Sequence, residues 1–203
     1  MRRGADMGKL VAVVGSAVHS GKTRLAVDMA VAAAVSHDRN ITVDVIDLAQ
    51  QRVSILDGRN LDDYADDTVD VINKVGQGDM FILASPIYRG TYTGALKNLL
   101  DHVPLEALEG KVIGLIATGA TLHHYLAIDL QFRALLAWFN VHVLPGFVYL
   151  DSGAYSDGEV SDPTRRRSLM ELGETLVIVS KKLRGVPARP PCLTREVLEA
   201  RRA

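Results

Sequence analysis

Between Leu10 and Leu150 the chain repeats short runs that are apolar at almost every position, each followed by a longer segment with apolar residues at three-to-four spacing. A strand that is apolar on both faces must be covered on both, so this rhythm confines the chain to a parallel sheet between two layers of helices. Leu10–Gly15, Val43–Leu48, Phe81–Ala84, Val112–Thr118 and Val141–Leu150 are the expected strands. The spacing predicts helices over Thr23–Ser36, Asp62–Val75, Gly94–His102, Thr121–Phe139 and Asp162–Leu183. Asp162-Pro163 sets a good N-cap before a proline at the first helical position, which marks where the last helix begins.

Such a chain folds as an open, doubly wound sheet with right-handed crossovers, and the strand order expected is the flavodoxin-like 2-1-3-4-5. In that order the connections leave the first and third strands toward opposite faces, and a ligand crevice opens beyond their carboxyl ends. With 203 residues, 48% hydrophobic and 23% charged, the expectation is one domain over residues 1–187. Residues 188–203, which carry paired prolines and charge, are expected as an extension that packs loosely or grips a neighbouring subunit. A formal charge of −1 provides no field to gather nucleic acid or an anionic membrane. The single cysteine, Cys192, allows neither an internal disulfide nor a cysteine-based zinc site, so a cytoplasmic setting is expected. The apolar runs fall short of the roughly 18 residues that cross a bilayer, and Leu10–Val14 is too short for a signal segment.

The first strand ends in Gly15-Ser-Ala-Val-His-Ser-Gly-Lys-Thr-Arg24, rich in small, hydroxylic and basic residues, and runs into a helix. A helix start exposes unpaired N–H groups and partial positive charge, so this loop suits a phosphate; alternatively, Ser20 simply caps the helix. Gly21-Lys22-Thr23 reproduces the ending of a nucleotide P-loop, but five residues rather than four separate Gly15 from Gly21. Asp47, near the end of the second strand, is the carboxylate a magnesium-dependent NTPase would need; that reading is a remote alternative.

The third strand delivers Ala84-Ser-Pro-Ile-Tyr-Arg-Gly-Thr-Tyr-Thr-Gly-Ala-Leu-Lys-Asn-Leu-Leu-Asp101. This segment resembles the NADPH-dependent FMN reductases of the flavodoxin-like superfamily, with their Ser/Thr-Pro-hydrophobic-Tyr loop, Ser/Thr-Gly-Ala-Leu-Lys-Asn/Thr stretch and Leu-Asp pair. Leu105 to Thr121 and Leu126-Ala-Ile-Asp129 continue the similarity, so it spans roughly residues 10–180. Within the family the sequence is most similar to the flavin reductase components of two-component alkanesulfonate monooxygenases, whose Ala-Thr-Gly-Gly-Thr appears as Ala117-Thr-Gly-Ala-Thr121. Some of those proteins insert an aromatic or histidine after the Leu-Ala-Val-Asp, associated with a π-bulge; here Leu130 follows Asp129 directly.

The resemblance implies an NAD(P)H-dependent FMN reductase, passing hydride from NADPH or NADH to FMN and supplying reduced flavin to a partner monooxygenase. It implies that Ser16, Ser20, Lys22 and Thr23 hold the FMN phosphate. Ser85, Pro86, Ile87, Tyr88, Arg89 and Gly90, with Thr118, Gly119, Ala120 and Thr121, would embrace the ring system. Hydride passes directly between the two cofactors, so no catalytic acid or base and no metal is expected. Tyr88 could equally be a core-edge tyrosine and Arg89 a solvated arginine. Alternatives are a quinone or azo reductase that keeps its FMN, or a flavodoxin-type carrier, although carriers tend to be strongly acidic.

Other signals carry less. Gly76-Gln77-Gly78 precedes a strand, the wrong order for a dinucleotide fingerprint. His123-His124 point apart on a helix, and Arg165-Arg166-Arg167 is a solvated face or a contact for a 2′-phosphate or acidic partner. Leu135, Leu136, Trp138 and Phe139 form an apolar stripe that is core or subunit interface, in line with the homodimers or homotetramers common among such reductases.

Overall fold

The computed structural model describes residues 8–19 and 21–186. Ser20 and the extension expected from residue 188 lie outside the described residues. Strands β1 (Lys9–Val14), β2 (Thr42–Asp47), β3 (Met80–Pro86) and β4 (Val112–Thr118) pair in parallel in the order β2-β1-β3-β4. β5 (His142–Val143) and β6 (Val148–Leu150) lie one after the other along the far edge of β4, completing the expected 2-1-3-4-5 order.

The continuous apolar runs split by strand alternation into two cores. Val11, Val13, Phe81, Leu83, Ile113 and Leu115 face α2 (Thr68–Gly76), α3 (Gly94–His102) and the helical segment after β4. Leu10, Ala12, Val14, Ile82 and Ile116 face α1 (Lys22–His37) and α6 (Pro163–Leu183). Alanines 26, 30, 33 and 34 of α1 let α6 approach closely, and Gly173 completes the fit, because a Cβ there would stand 2.1 Å from the Ala30 carbonyl oxygen. As the sequence implies, Asp162 caps α6, its Oδ1 accepting from the N–H groups of Thr164 (2.8 Å) and Arg165 (3.0 Å).

Three elements differ from the sequence expectation. The strand expected over Val141–Leu150 is broken: β4 advances three residues from Ile113 to Ile116 while its partner advances five, from Val143 to Val148. Pro145, which has no N–H, and Gly146 take up the difference. The helix expected from Asp62 begins at Thr68, after a single 3₁₀ turn at Leu61–Asp63. Asp66 defers it by accepting from the hydroxyls of Ser54 (2.6 Å) and Thr68 (2.5 Å), bonds that pull its carboxyl down to about 2. The preceding connection is strapped to α3 by Asn98, whose Nδ2 donates to Ser54 O (2.9 Å) while its Oδ1 accepts from Leu56 N (3.1 Å).

The third difference is the helix expected over Thr121–Phe139, which changes pitch repeatedly: a 3₁₀ turn at Leu122–His124, a π turn at Ile128–Phe132, α5 (Arg133–Leu136) and a 3₁₀ turn at Ala137–Phe139. A π turn therefore forms without the inserted residue associated with it in some relatives. It keeps Ile128, Phe132 and Leu136 on one buried face while the Asp129 and Arg133 side chains pair outside at 2.7 Å. The sequence reading also passed over α4 (Leu105–Leu108) and the hairpin of β7 (Tyr155–Ser156) with β8 (Glu159–Val160). That hairpin turns on Asp157-Gly158, both at positive φ, a pair that favours such a turn. Among the described residues no helix is long and apolar enough to cross a membrane.

The contact at Gly173 is the most exacting in the helical layer. Gly173→Ala is expected to lower stability by about 2–3 kcal/mol, because the clash is with the α1 backbone rather than a movable side chain. Urea unfolding checks this as a reduced midpoint at unchanged slope.

Candidate functional site

Three loops leave the carboxyl ends of β1, β3 and β4, and one hydrogen bond joins each pair of them. Thr93 Oγ1 at the end of the second loop donates to Gly15 O of the first at 2.5 Å. Thr23 Oγ1, in the first turn of α1, meets Thr118 Oγ1 at the end of β4, 2.8 Å away. Ile87 N donates to Thr118 O at 2.7 Å, closing the second loop onto the third. All four of these side chains are almost fully buried, so the bonds form out of water's reach.

Within the first loop, Ser16 is 4% exposed and folds back on the chain, its Oγ accepting from Val18 N (3.1 Å) and donating to Val18 O (3.3 Å). α1 opens at Gly21, which brings no side chain to cap it, and Gly21 O takes the N–H groups of Arg24 (2.9 Å) and Leu25 (3.3 Å). Lys22 is exposed, its ammonium 5.1 Å above the Tyr155 ring. The Tyr155 hydroxyl donates to Lys22 O at 3.1 Å, and burial pushes its pKa well above the ordinary tyrosine value, so it stays protonated and a donor. Thr23, expected to reach a phosphate, turns its hydroxyl inward to Thr118; its backbone, not its hydroxyl, is what the helix start presents.

The second loop is a hairpin tip. Tyr88 and Thr91 exchange backbone hydrogen bonds at 2.9 and 3.2 Å around Arg89 (φ 55°) and Gly90 (φ 81°), the two left-handed residues of a type I′ turn. Arg89 sits where asparagine or glycine is more easily accommodated, and its side chain is exposed. Tyr88 is half exposed, while Pro86 and Ile87 are buried. Ser85 is fully buried and structural: its Oγ donates to Pro86 O (2.8 Å) and accepts from Thr93 N (3.0 Å), pinching the loop at its base.

The third loop, Gly119 to Thr121, is braced from β6. Gly119 N donates to Leu150 O (2.9 Å), the Tyr149 hydroxyl to Thr121 O (2.6 Å) and Ser152 Oγ to Ala120 O (2.9 Å). Gly119 is required here, since a Cβ would stand 2.0 Å from the Tyr149 hydroxyl. Ala120 and Thr121 are exposed, and Thr121 Oγ1 pairs with His123 Nδ1 at 3.0 Å.

The structure thus gathers the described candidate residues at one end of the sheet but divides their work. Thr23, Ser85 and Thr118 tie the loops together; Lys22, Tyr88, Arg89, Ala120 and Thr121 present surface. The sequence reading missed Thr93 and Tyr149. Thr93 had a signal, standing directly before the helical run Gly94-Ala-Leu96, and its Oγ1 caps α3 by accepting from Leu96 N at 3.1 Å. Tyr149 had none, since nothing local marks which strand residue reaches a distant loop.

These loops suit a molecule with an anionic tail and a flat, polar-edged ring. The first pairs a helix start without a side-chain cap among the described residues with the Lys22 cation, and the Asp47 carboxylate at the end of β2 is paired with Arg24 at 3.1 Å. The other two present backbone at a tip and a glycine-bearing shelf, surfaces a planar heterocycle can approach.

The profile of a family described as NADPH-dependent FMN reductase matches residues 8–155. An NAD(P)H-dependent FAD/FMN reductase of Geobacillus thermodenitrificans is 34% identical over 170 residues, 83% of this chain and 91% of that protein. An FMN reductase (NADPH) of Pseudomonas aeruginosa is 38% identical over 98 residues, 48% of this chain and about half (53%) of that one. Among solved structures, the apo form of an NADH:FMN oxidoreductase superimposes with a TM-score of 0.67 at 26% identity, over 84% of this chain and 90% of that one.

The loop ties predict a specific weakness. Thr93→Val removes the α3 cap and leaves Gly15 O without its donor, a loss of about 2 kcal/mol, while Thr93→Ser retains most of it. Chemical denaturation of the three proteins tests this.

Proposed function

The chain belongs to the NADPH-dependent FMN reductase family, and we propose that its three tied loops hold FMN with the phosphate at the start of α1 and the ring between the hairpin tip and Gly119. The activity is NAD(P)H-dependent reduction of FMN. Bound FMN supplies the chemistry, accepting hydride from a nicotinamide. The residues supply position. Lys22 and the first turn of α1 counter the phosphate charge, with Ser16 shaping the approach through its turn onto Val18. The backbone from Pro86 to Gly90 lies along one edge of the ring, and the shelf from Thr118 to Thr121, braced by Tyr149, along another. The observation that supports this placement is the pairwise closure of the loops, which holds all three together at one end of the sheet.

Reduced FMN passing to a flavin-dependent monooxygenase is the onward step we propose. It is supported by the resemblance of Ala117-Thr-Gly-Ala-Thr121 and Leu126-Ala-Ile-Asp129 to reductases of two-component systems. A cytoplasmic setting is supported by the need for NAD(P)H and by the single cysteine. Self-association into a dimer or tetramer is supported by the exposed Leu122 (57%), Leu126 (59%) and Leu130 (68%) on the segment that carries the π turn.

Anaerobic mixing of the FMN-loaded protein with NADPH and with NADH should bleach the oxidised flavin absorption with at least one of them; persistence of the colour with both defeats the reading. Leu130→Asp should shift the protein to a smaller species in sedimentation velocity while leaving its circular dichroism spectrum unchanged, since the side chain lies outside the core.

A further inference from the structure

Asp47 ends β2 beside the first loop and is 4% exposed, yet the activity just described leaves it without a task. Its Oδ1 accepts from Ala49 N at 3.0 Å, and its Oδ2 accepts from Arg24 Nη1 (3.1 Å) and Gln50 Nε2 (3.1 Å). The same Gln50 nitrogen lies 2.8 Å from His19 Nδ1. Arg24 is held on its other side by Asp28, Nε to Oδ1 at 2.7 Å, so it balances the Asp47 charge rather than reaching into the loop.

These contacts fix a hydrogen-bond direction. An ionised carboxylate only accepts, so the Gln50 amide must turn its nitrogen toward Asp47. That NH₂ group has two hydrogens; one goes to Asp47 and the other to His19 Nδ1, which is thereby an acceptor. The imidazole is held as the tautomer with hydrogen on Nε2, a donor carried by the loop between Ser16 and α1.

We propose that Asp47 is a positioning residue for flavin phosphate recognition: through Gln50 it locks His19 in the tautomer and orientation that donate Nε2–H to the phosphate. The proposal rests on the FMN placement above and adds to it the selection of the phosphorylated flavin over riboflavin. It also gives Asp47 a role other than anchoring magnesium, since all three of its contacts are nitrogen donors.

The test is flavin fluorescence quenching, with FMN and riboflavin titrated separately into the wild type, His19→Ala, Gln50→Ala and the double variant. Both side chains are exposed, so the variants fold; Asp47→Asn joins the set with its melting temperature measured. Each single change should raise the Kd for FMN about three- to tenfold, the worth of one hydrogen bond, and leave the Kd for riboflavin unchanged. The double variant should match His19→Ala alone, because Gln50 acts through His19. An unchanged Kd for FMN, a parallel shift for riboflavin, or effects that multiply in the double variant would overturn the proposal. A wild type that quenches neither flavin defeats the FMN placement itself, and a normal wild type with inert variants defeats only the His19 assignment.

Discussion

Three buried hydrogen bonds, one between each pair of loops, turn the carboxyl end of this sheet into a single body. Thr93 to Gly15 O, Thr23 to Thr118 and Ile87 N to Thr118 O form a closed triangle, so no loop can shift without straining the other two. Loops at a sheet end ordinarily move more than the elements they join. Here they are anchored to strands buried on both faces and tied to one another. For the FMN placement proposed above, loops already tied to one another would hold a ring without ordering mobile chain on binding.

The architecture was legible because each strand serves two cores. Alternation assigns Leu10, Ala12 and Val14 to one and Val11 and Val13 to the other, leaving an uninterrupted apolar run visible without any structure. What was hidden depended on contacts distant in sequence. The late start of α2 at Thr68 follows from Ser54 reaching Asp66, and the pitch changes after Thr121 follow from packing Ile128, Phe132 and Leu136 on one face. The break at Pro145-Gly146 was visible in composition, but the apolar residues on either side made one strand the simpler expectation.

Of the cleft, the sequence showed which segments meet and less of what each side chain does. Hydroxyl groups in a loop suggest ligand donors, yet Thr23 and Ser85 use theirs to join parts of the protein. The distinction turns on whether a hydroxyl faces a backbone acceptor or open space, and spacing along a chain does not encode that. Lys22, Arg89 and Thr121 keep their side chains outward, so the polar chemistry available to a ligand comes from fewer residues than the motif suggests. Arg89 also holds a left-handed backbone that asparagine or glycine adopts more readily.

The divided outer strand has an effect beyond topology. β5 and β6 are two and three residues long, and the proline between them has no N–H to offer. A stray extended peptide arriving at that margin finds no continuous ladder to zip onto, so edge-to-edge pairing is disfavoured there.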